Sequence, residues 1–469
     1  MNSRSFDRDK VFEKTHELQG ELIEKLRESI RIPSVQMAPV EGKPYGTEVD
    51  NALKHAIHTA AELGFRTGEG EGQYGWCEYG EGAEMIAVLG HLDVVPAGEG
   101  WKHGPFDADI TDGIMWGRGT MDDKGPVFAS LYALKAIADL KIPLKRRIRI
   151  IFGTNEETGC KDIPHYLEKE ELPVYAFTPD AEFPVIYAEK GICQMELEGT
   201  ALQDGAEIKV AEIRGGLAPN IVPDACSALI RTDDIEKVCR LIDKCCSGLG
   251  AEPELTLTDE GDLRIRVHGR SAHGSIPEQG DNAVCKMLKI LRRLELSTDL
   301  RSKLSFLADK VGADTEAGGL GLSLSDEIGR ISLNVGKLDY DGERINVVLD
   351  TRIPVTRASG EFTEPFKAIA ENSGFKLRIL LDDAPLYQSK DSFLVRKLMD
   401  VYHEYQHDGE AIAIGGGTYA KKLPNTVAFG PMLPGREDLN HQANEYIFIK
   451  ELEMLTQIYA HAMVELANG

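Results

Sequence analysis

Short apolar segments that end in acids or histidines, with a helical segment between them, most constrain how this chain can fold. The run Met85-Ile86-Ala87-Val88-Leu89 opens into Gly90-His91, and a second run, residues 147–152, is followed by Glu156-Glu157. Between them, residues 127–140 have the apolar spacing of a helix. Because parallel strands need a crossover connection, this order of strand, helix and strand predicts a parallel α/β sheet.

The middle of the chain follows a different pattern. From about residue 190 to 383, short segments alternate apolar and polar residues, as in Leu263-Arg264-Ile265-Arg266-Val267. Such alternation predicts a sheet with one face in solvent and helices on the other, in an α+β arrangement. After residue 384 the α/β pattern returns and ends in a predicted helix from Glu445. We therefore expect an α/β domain of residues 1–189 and 384–469, interrupted by an α+β domain of residues 190–383.

The composition excludes several classes of partner. The chain has 77 acidic and 53 basic residues, a net charge of −24, whereas nucleic acids and anionic membranes need a basic face. No stretch approaches the roughly 18 apolar residues of a membrane span, and the charged N-terminal segment lacks the apolar core of a signal peptide. The eight cysteines form no C-x-x-C motif. We therefore expect a cytoplasmic protein without nucleic-acid or membrane partners.

Acids and histidines recur where predicted strands end or helices begin. They are His91 with Asp93, Asp122 with Asp123, Glu156 with Glu157, Asp180, and His441. The carboxyl ends of parallel strands share one crevice, so these side chains can meet there. Imidazole and carboxylate suit Zn²⁺, Mn²⁺ or Co²⁺, and a two-metal site needs a bridging carboxylate and a base. Taken alone, such clusters are more often a structural histidine, a helix cap or a solvated loop than metal ligands. Their joint occurrence favours a metal site.

Three of these clusters lie in longer motifs, namely residues 90–96 (GHLDVVP), 117–125 (GRGTMDDKG) and 155–159 (NEETG). The motifs resemble the metal-binding motifs of the di-zinc exopeptidase family that contains aminoacylase, glutamate carboxypeptidase and carnosinase. Residues 179–184, 215–224 and 415–419 look most like the bacterial dipeptidase V branch. The resemblance runs from about residue 15 to the C-terminus. It implies a metal-binding catalytic domain interrupted by an enlarged, ferredoxin-like lid domain.

The resemblance also implies a role for each site residue. Two divalent ions, Zn²⁺ as first choice and Mn²⁺ or Co²⁺ as alternatives, would be bound by His91, Asp122, Glu157, Asp180 and His441. Asp122 would bridge the two ions, and the peptide bond from Asp122 to Asp123 would be cis. Glu156 would be the general base for the attacking water, and Asp93 would contact and orient His91.

Substrate recognition is implied for residues of the inserted domain and for a glycine segment. His273 would polarise the scissile carbonyl, while Asn220 and Arg352 would recognise substrate, the guanidinium being suited to a carboxylate. Without the resemblance, His273 is a loop histidine and Arg352 a strand-end surface residue. The segment containing Gly416 and Gly417 lacks the Lys-Ser/Thr of a phosphate-binding loop. Its peptide N–H groups can instead hold a carboxylate, as the resemblance implies.

Together these features predict a metal-dependent dipeptidase that hydrolyses unblocked dipeptides through a metal-bridging water activated by Glu156. One alternative is an N-acyl amino acid or N-succinyl amine deacylase with the same two-metal centre. Another is a non-catalytic peptide-binding descendant, which the complete set of ligands and base disfavours. The long insertion indicates a monomer, because in the dipeptidase V branch an enlarged lid supplies what dimeric relatives obtain from a second subunit.

Overall fold

The computed structural model describes residues 7–246, 252–406 and 408–469, so the first six residues of the charged N-terminal segment lie outside it. The chain divides into two compact units. The first unit comprises residues up to 188 together with 388–413 and 418–469, and the second comprises 189–387 and 414–417. Within the described ranges, no helix is both long and apolar enough to cross a membrane.

Helices and strands alternate in the first part of the chain, up to residue 189. They are α1 (Arg8–Ile30), α2 (Thr47–Glu62), β1 (Arg66–Glu69), β2 (Gly75–Tyr79), β3 (Met85–His91), β4 (Asp109–Thr111), β5 (Ile114–Trp116), α3 (Lys124–Asp139), β6 (Arg147–Gly153), α4 (Ile163–Lys169), β7 (Tyr175–Thr178), β8 (Ala181–Glu182) and β9 (Ile186–Glu189). Helix α3 packs against β3, α1 and the C-terminal helix of residues 449–468, which explains why it is buried on nearly every side.

The second unit is built on one antiparallel sheet. Its elements are β10 (Gly191–Thr200), β11 (Lys209–Gly215), β12 (Ala225–Arg231), α5 (Ile235–Cys246), β13 (Glu254–Leu257), β14 (Leu263–His268), α6 (Ala283–Leu291), α7 (Thr298–Phe306), β15 (Ser332–Tyr340), β16 (Arg344–Ile353), α8 (Gly360–Asn372), β17 (Phe375–Asp383) and β18 (Leu386–Tyr387). The sheet order is β13-β14-β12-β11-β15-β16-β10-β17. Along β14, Leu263, Ile265 and Val267 are buried while Arg264 and Arg266 are exposed, which confirms the predicted α+β pattern.

The last part of the chain returns to the first unit. Its elements are α9 (Phe393–Tyr405), β19 (Ile412–Ile414), β20 (Thr426–Ala428), β21 (Pro431–Met432), β22 (Tyr446–Phe448) and α10 (Ile449–Asn468). The predicted helix start at Glu445 is wrong, because residues 446–448 form β22, which pairs with β5. Aromatic and β-branched side chains favour this strand pairing, so the helix begins only at Ile449.

The sheet of the first unit confirms the predicted α/β class. Its strands follow the order β1-β2-β6-β3-β7-β20-β9. Strand β3 runs parallel to both neighbours, with Val88 opposite Ile150 of β6 and opposite Phe177 of β7. Every residue of β3 is buried. The carboxyl ends of β3, β6 and β7 therefore lie side by side at one edge of the sheet.

Candidate functional site

The edge formed by β3, β6 and β7 carries four of the predicted site residues. His91 is the last residue of β3, Glu156 and Glu157 follow β6 after two residues, and Asp180 follows β7 after one. Asp122 lies just before α3, and His441 comes from the loop before β22. His441 adopts a φ of 63°, a left-handed conformation that is uncommon outside glycine and typical of a tight turn.

The five predicted metal ligands form two groups that share Asp122. In the first group, His91 Nε2 lies 3.0 Å from Asp122 Oδ1 and 3.6 Å from Asp180 Oδ2. In the second, His441 Nε2 lies 3.2 Å from Asp122 Oδ2 and 3.0 Å from Glu157 Oε2. Within each group the candidate ligand atoms all lie within 4.8 Å of one another. The two oxygens of one carboxylate thus face two different donor sets.

Burial and crowding shift the protonation of these side chains. Burial raises the pKa of Asp180 to about 6 against the opposing effect of His91, and burial also raises the pKa of Glu157. Burial would raise the pKa of Asp122 as well, but hydrogen bonds from His441 and His91 outweigh it and lower that pKa. Hydrogen bonds to Asp122 and Glu157 raise the pKa of His441 to about 10. Crowded carboxylates with imidazole neighbours fit divalent cations, which would neutralise the excess negative charge.

Asp93 contacts both His91 at the end of β3 and the Glu156-Glu157 pair after β6. Its backbone carbonyl lies 2.9 Å from His91 Nδ1, while its carboxylate Oδ1 is farther from that nitrogen, at 3.5 Å. The two carboxylate oxygens accept hydrogen bonds from the peptide N–H groups of Glu156 and Glu157, each at 3.2 Å. The group of Asp93 nearest to His91 is therefore its backbone carbonyl, whereas its carboxylate, which was predicted to orient that ring, fixes the backbone that carries the Glu-Glu pair.

Glu445 fixes the loop that carries Asp122, a function that the sequence reasoning missed. Its Oε2 accepts a hydrogen bond from Arg118 Nη1 at 2.7 Å. Its Oε1 accepts from the peptide N–H groups of Gly119, Met121 and Asp122 at 3.0, 2.9 and 3.2 Å. Burial raises the pKa of Glu445 to about 7, partly opposed by these N–H groups and by Arg118. Spacing gave no signal for these contacts, because peptide N–H groups are present at every residue except proline.

Asp123 holds the end of strand β3, which carries His91. The peptide bond from Asp122 to Asp123 is cis, as the resemblance implies. The buried carboxylate of Asp123 accepts a hydrogen bond from the peptide N–H of His91 at 3.1 Å. The residue after Asp122 therefore holds the end of strand β3.

A second buried network supports the loop after β6. Tyr419 donates a hydrogen bond from its hydroxyl to Asp162 Oδ2 at 2.5 Å, and the same hydroxyl oxygen accepts from the peptide N–H of Asn155 at 3.3 Å. Asp162 Oδ2 also accepts from the peptide N–H of Thr154 at 2.7 Å. Tyr419 and Asp162, which sequence reasoning also missed, thus hold the residues immediately before Glu156.

The other predicted site residues belong to the second unit. Arg352 is only 3% exposed, and its guanidinium donates to Asp350 Oδ1 at 2.7 Å and to the carbonyl of Gly415 at 2.8 Å. Asn220 is half-buried, and its carbonyl accepts from the peptide N–H of Gly274, next to His273, at 2.7 Å. His273 is exposed, Gly416 half-buried and Gly417 exposed. Arg352 therefore joins the glycine segment to the sheet of this unit.

Comparison with known proteins finds relatives along nearly the whole chain. The model of peptidase family M20/M25/M40 matches residues 87–465. The Bacillus subtilis protein "Putative dipeptidase YtjP" is 38% identical over 455 residues, covering 96% of this chain and 97% of that protein. The Staphylococcus haemolyticus protein "Putative dipeptidase SH1171" is 34% identical over 471 residues, covering 97% and 98%.

Solved structures share the fold at low sequence identity. Human carnosine dipeptidase 1 superposes with a TM-score of 0.58 at 17% identity, covering 98% of this chain and all of that one. The aminoacylhistidine dipeptidase of Vibrio alginolyticus gives a TM-score of 0.59 at 14% identity, covering 94% and 96%. These likenesses confirm the predicted fold.

Proposed function

Because the chain belongs to peptidase family M20/M25/M40, we propose that it is a two-metal dipeptidase that hydrolyses the peptide bond of unblocked dipeptides. One observation carries the proposal. The two carboxylate oxygens of Asp122 lie 3.0 and 3.2 Å from two different imidazoles, the arrangement that a bridging ligand needs. The names of the two bacterial relatives add support for a dipeptide substrate.

The five proposed ligands form two sets of three residues that share Asp122. One ion would be held by His91, Asp122 and Asp180, and the other by Asp122, Glu157 and His441. Nitrogen and oxygen donors without thiolate favour Zn²⁺, and the same donors accept Mn²⁺ or Co²⁺. Bound divalent cations would polarise the scissile carbonyl and acidify the water that attacks it.

Glu156 is the proposed general base. Burial, followed by the charge of Asp180, raises the pKa of Glu156 well above its ordinary value, which suits a group that must accept and then release a proton. Its carboxylate would take a proton from the attacking water and return it to the leaving amine. Asp93 holds the peptide N–H of Glu156 at 3.2 Å and thereby limits movement of the base.

Residues of the second unit are proposed to bind the rest of the substrate. His273 would donate a hydrogen bond to the carbonyl oxygen as negative charge develops there. Arg352 uses three of its five N–H groups on Asp350 and Gly415, so two remain for an α-carboxylate. Asn220 and the peptide N–H groups of Gly416 and Gly417 would complete this carboxylate site. Recognition of the C-terminal carboxylate would limit the enzyme to short peptides.

The test combines metal analysis with a substrate panel. Protein purified without chelator should contain two divalent ions per chain, measured by mass spectrometry. Glu156→Gln should keep both ions and lose at least about a hundredfold in kcat. Glu168→Gln, an exposed glutamate of α4, is the matched control and should retain full activity.

The panel contains unblocked dipeptides, tripeptides, N-acetyl amino acids and N-succinyl amines. Turnover of the unblocked dipeptides alone supports the proposal. Equal or faster turnover of the acylated compounds would establish a deacylase instead. Metal binding without any hydrolysis would favour a peptide-binding descendant, and full activity of Glu156→Gln would refute the assignment of the base.

We propose that the chain acts as a monomer in the cytoplasm. The long insertion of residues 190–383 supports the monomer, and the eight cysteines are free thiols, which supports a reducing compartment. Light scattering that gives the mass of two chains would refute the monomer.

A further inference from the structure

Ser275 lies two residues after His273, and both its hydroxyl and its peptide N–H contact Nδ1 of the His273 ring. The hydroxyl oxygen of Ser275 lies 2.6 Å from His273 Nδ1. The peptide N–H of Ser275 donates a hydrogen bond to the same nitrogen at 3.2 Å. Both contacts are local, and both lie within the second unit.

The hydroxyl and the peptide N–H of Ser275 together decide which ring nitrogen carries the proton. A peptide N–H only donates, so the nitrogen it faces must present a lone pair. A proton on His273 Nδ1 would point at another N–H group. The neutral ring with its proton on Nε2 satisfies both contacts, since the hydroxyl of Ser275 can then donate to Nδ1 as well. In this form Nε2–H is a hydrogen-bond donor.

Neighbouring groups favour the neutral ring and fix Ser275 in place. Although His273 is exposed as a whole residue, protein atoms packed around its ring, followed by the Arg352 guanidinium, lower its pKa against the opposing charge of Asp350. The peptide N–H of Ile276 donates to the His273 carbonyl at 3.0 Å, which closes the turn around Ser275. A Cβ at Gly415 would lie 2.8 Å from the Ser275 Cβ, so only glycine leaves room for this side chain.

We propose that Ser275 is a positioning residue that holds His273 in the tautomer with its proton on Nε2. The ring then offers an N–H donor, and the substrate group it meets must be an acceptor oxygen, such as a carbonyl, rather than an ammonium. This inference rests on the proposed function, in which His273 contacts the scissile carbonyl. It adds that Ser275 makes Nδ1 of His273 the hydrogen-bond acceptor and Nε2 the donor.

The first test is spectroscopic and does not depend on turnover. Protein labelled with ¹⁵N in histidine is examined by two-bond proton–nitrogen correlation, and the His273 signals are assigned by their loss in His273→Gln. We expect a protonated-type Nε2 and an unprotonated-type Nδ1. Ser275→Ala removes the hydroxyl donor at 2.6 Å and keeps only the weaker peptide N–H at 3.2 Å, so the fraction of rings protonated on Nδ1 should increase. Ser275→Thr should restore the original pattern. A protonated Nδ1 in the unmodified protein would overturn the proposal.

The second test separates positioning from a general structural effect. Ser275→Ala should lower kcat about tenfold, the effect of one hydrogen bond, and leave KM within about twofold. Ser275→Thr should recover most of the loss. Ser271→Ala, an exposed serine of the same loop, is the control and should behave as the unmodified protein. An unchanged spectrum together with an unchanged kcat in Ser275→Ala would refute the role of Ser275.

The two proposals fail in different ways. Full activity of His273→Gln would remove His273 from the proposed mechanism, and with it the substrate part of this inference. The tautomer would still stand or fall on the spectra. Conversely, an inactive His273→Gln variant combined with a proton on Nδ1 would leave the dipeptidase proposal intact and refute the assignment to Ser275.

Discussion

Glu445 offers a sharp test of how the loop before α3 is held. Glu445 is fully buried, and Arg118, its partner at 2.7 Å, is 1% exposed. Glu445→Gln removes the charge that faces Arg118 and keeps one carbonyl oxygen for the peptide N–H groups of Gly119 and Met121. It thereby leaves a guanidinium buried without its counter-charge, which typically costs about 3–5 kcal/mol.

This cost should be visible in thermal unfolding. At about 2–4 °C per kcal/mol for a domain of this size, we expect Glu445→Gln to lower Tm by roughly 6–20 °C. Differential scanning calorimetry of the metal-free protein measures the loss directly, at a pH well above the pKa of about 7 of Glu445, where this carboxylate is charged. The exposed Glu437→Gln is the control and should leave Tm unchanged. Glu445→Ala should lower Tm further, because three peptide N–H groups also lose their acceptor.

A double variant tests whether the unpaired charge of Arg118 causes the loss of stability. If the loss comes from the unpaired charge, Arg118→Met combined with Glu445→Gln should be more stable than Glu445→Gln alone. The peptide N–H of Asp122 also donates a hydrogen bond to the Glu445 carboxylate, so Glu445 helps to position this proposed metal ligand. Metal affinity should therefore fall about 10- to 100-fold in Glu445→Gln. Additive losses in the double variant, or a Tm within about 1 °C of the unmodified protein, would refute the argument.

Three further predictions address the rest of the site. Asp93→Asn should lower kcat about tenfold with metal content retained, because an amide can accept only one of the two N–H groups from Glu156 and Glu157. Tyr419→Phe should lower the free energy of unfolding by about 1–3 kcal/mol, measured in urea, because the buried Asp162 carboxylate loses a donor. Removing metal by dialysis against a chelator should abolish hydrolysis, and returning Zn²⁺ at about 100 times Kd should stabilise the fold by about 2.7 kcal/mol.

Each of these has a result that contradicts it. Unchanged kcat in Asp93→Asn would mean that the Glu-Glu backbone is held by other contacts. Equal urea midpoints for Tyr419→Phe and the unmodified protein would remove the proposed support from Asp162. Hydrolysis that persists after complete metal removal, checked by mass spectrometry, would argue against the two-metal proposal as a whole.

The family fold and the location of several site residues were predictable from local patterns. Alternation of apolar and polar residues in β14, and the continuous apolar run of β3, are periodic features that each segment carries by itself. His91 and Asp180 stand at the ends of parallel strands, so their meeting at one sheet edge follows from the strand order. The helix start at Glu445 was wrong because pairing with β5 overrides local helical spacing.

By itself, the sequence therefore determined the two fold patterns and which chemical groups gather at the edge of the first sheet. Only the tertiary structure decided how those groups are held. Glu445 and Gly119 are 326 positions apart, and Asp93 acts through the peptide N–H groups of the Glu-Glu pair. The tertiary structure also decided that Arg352, which residue pattern alone would place at a strand end on the surface, is buried against Asp350 and the glycine segment. Such contacts use backbone groups that nearly every residue has and join distant positions, so they leave no pattern in the order of residue types.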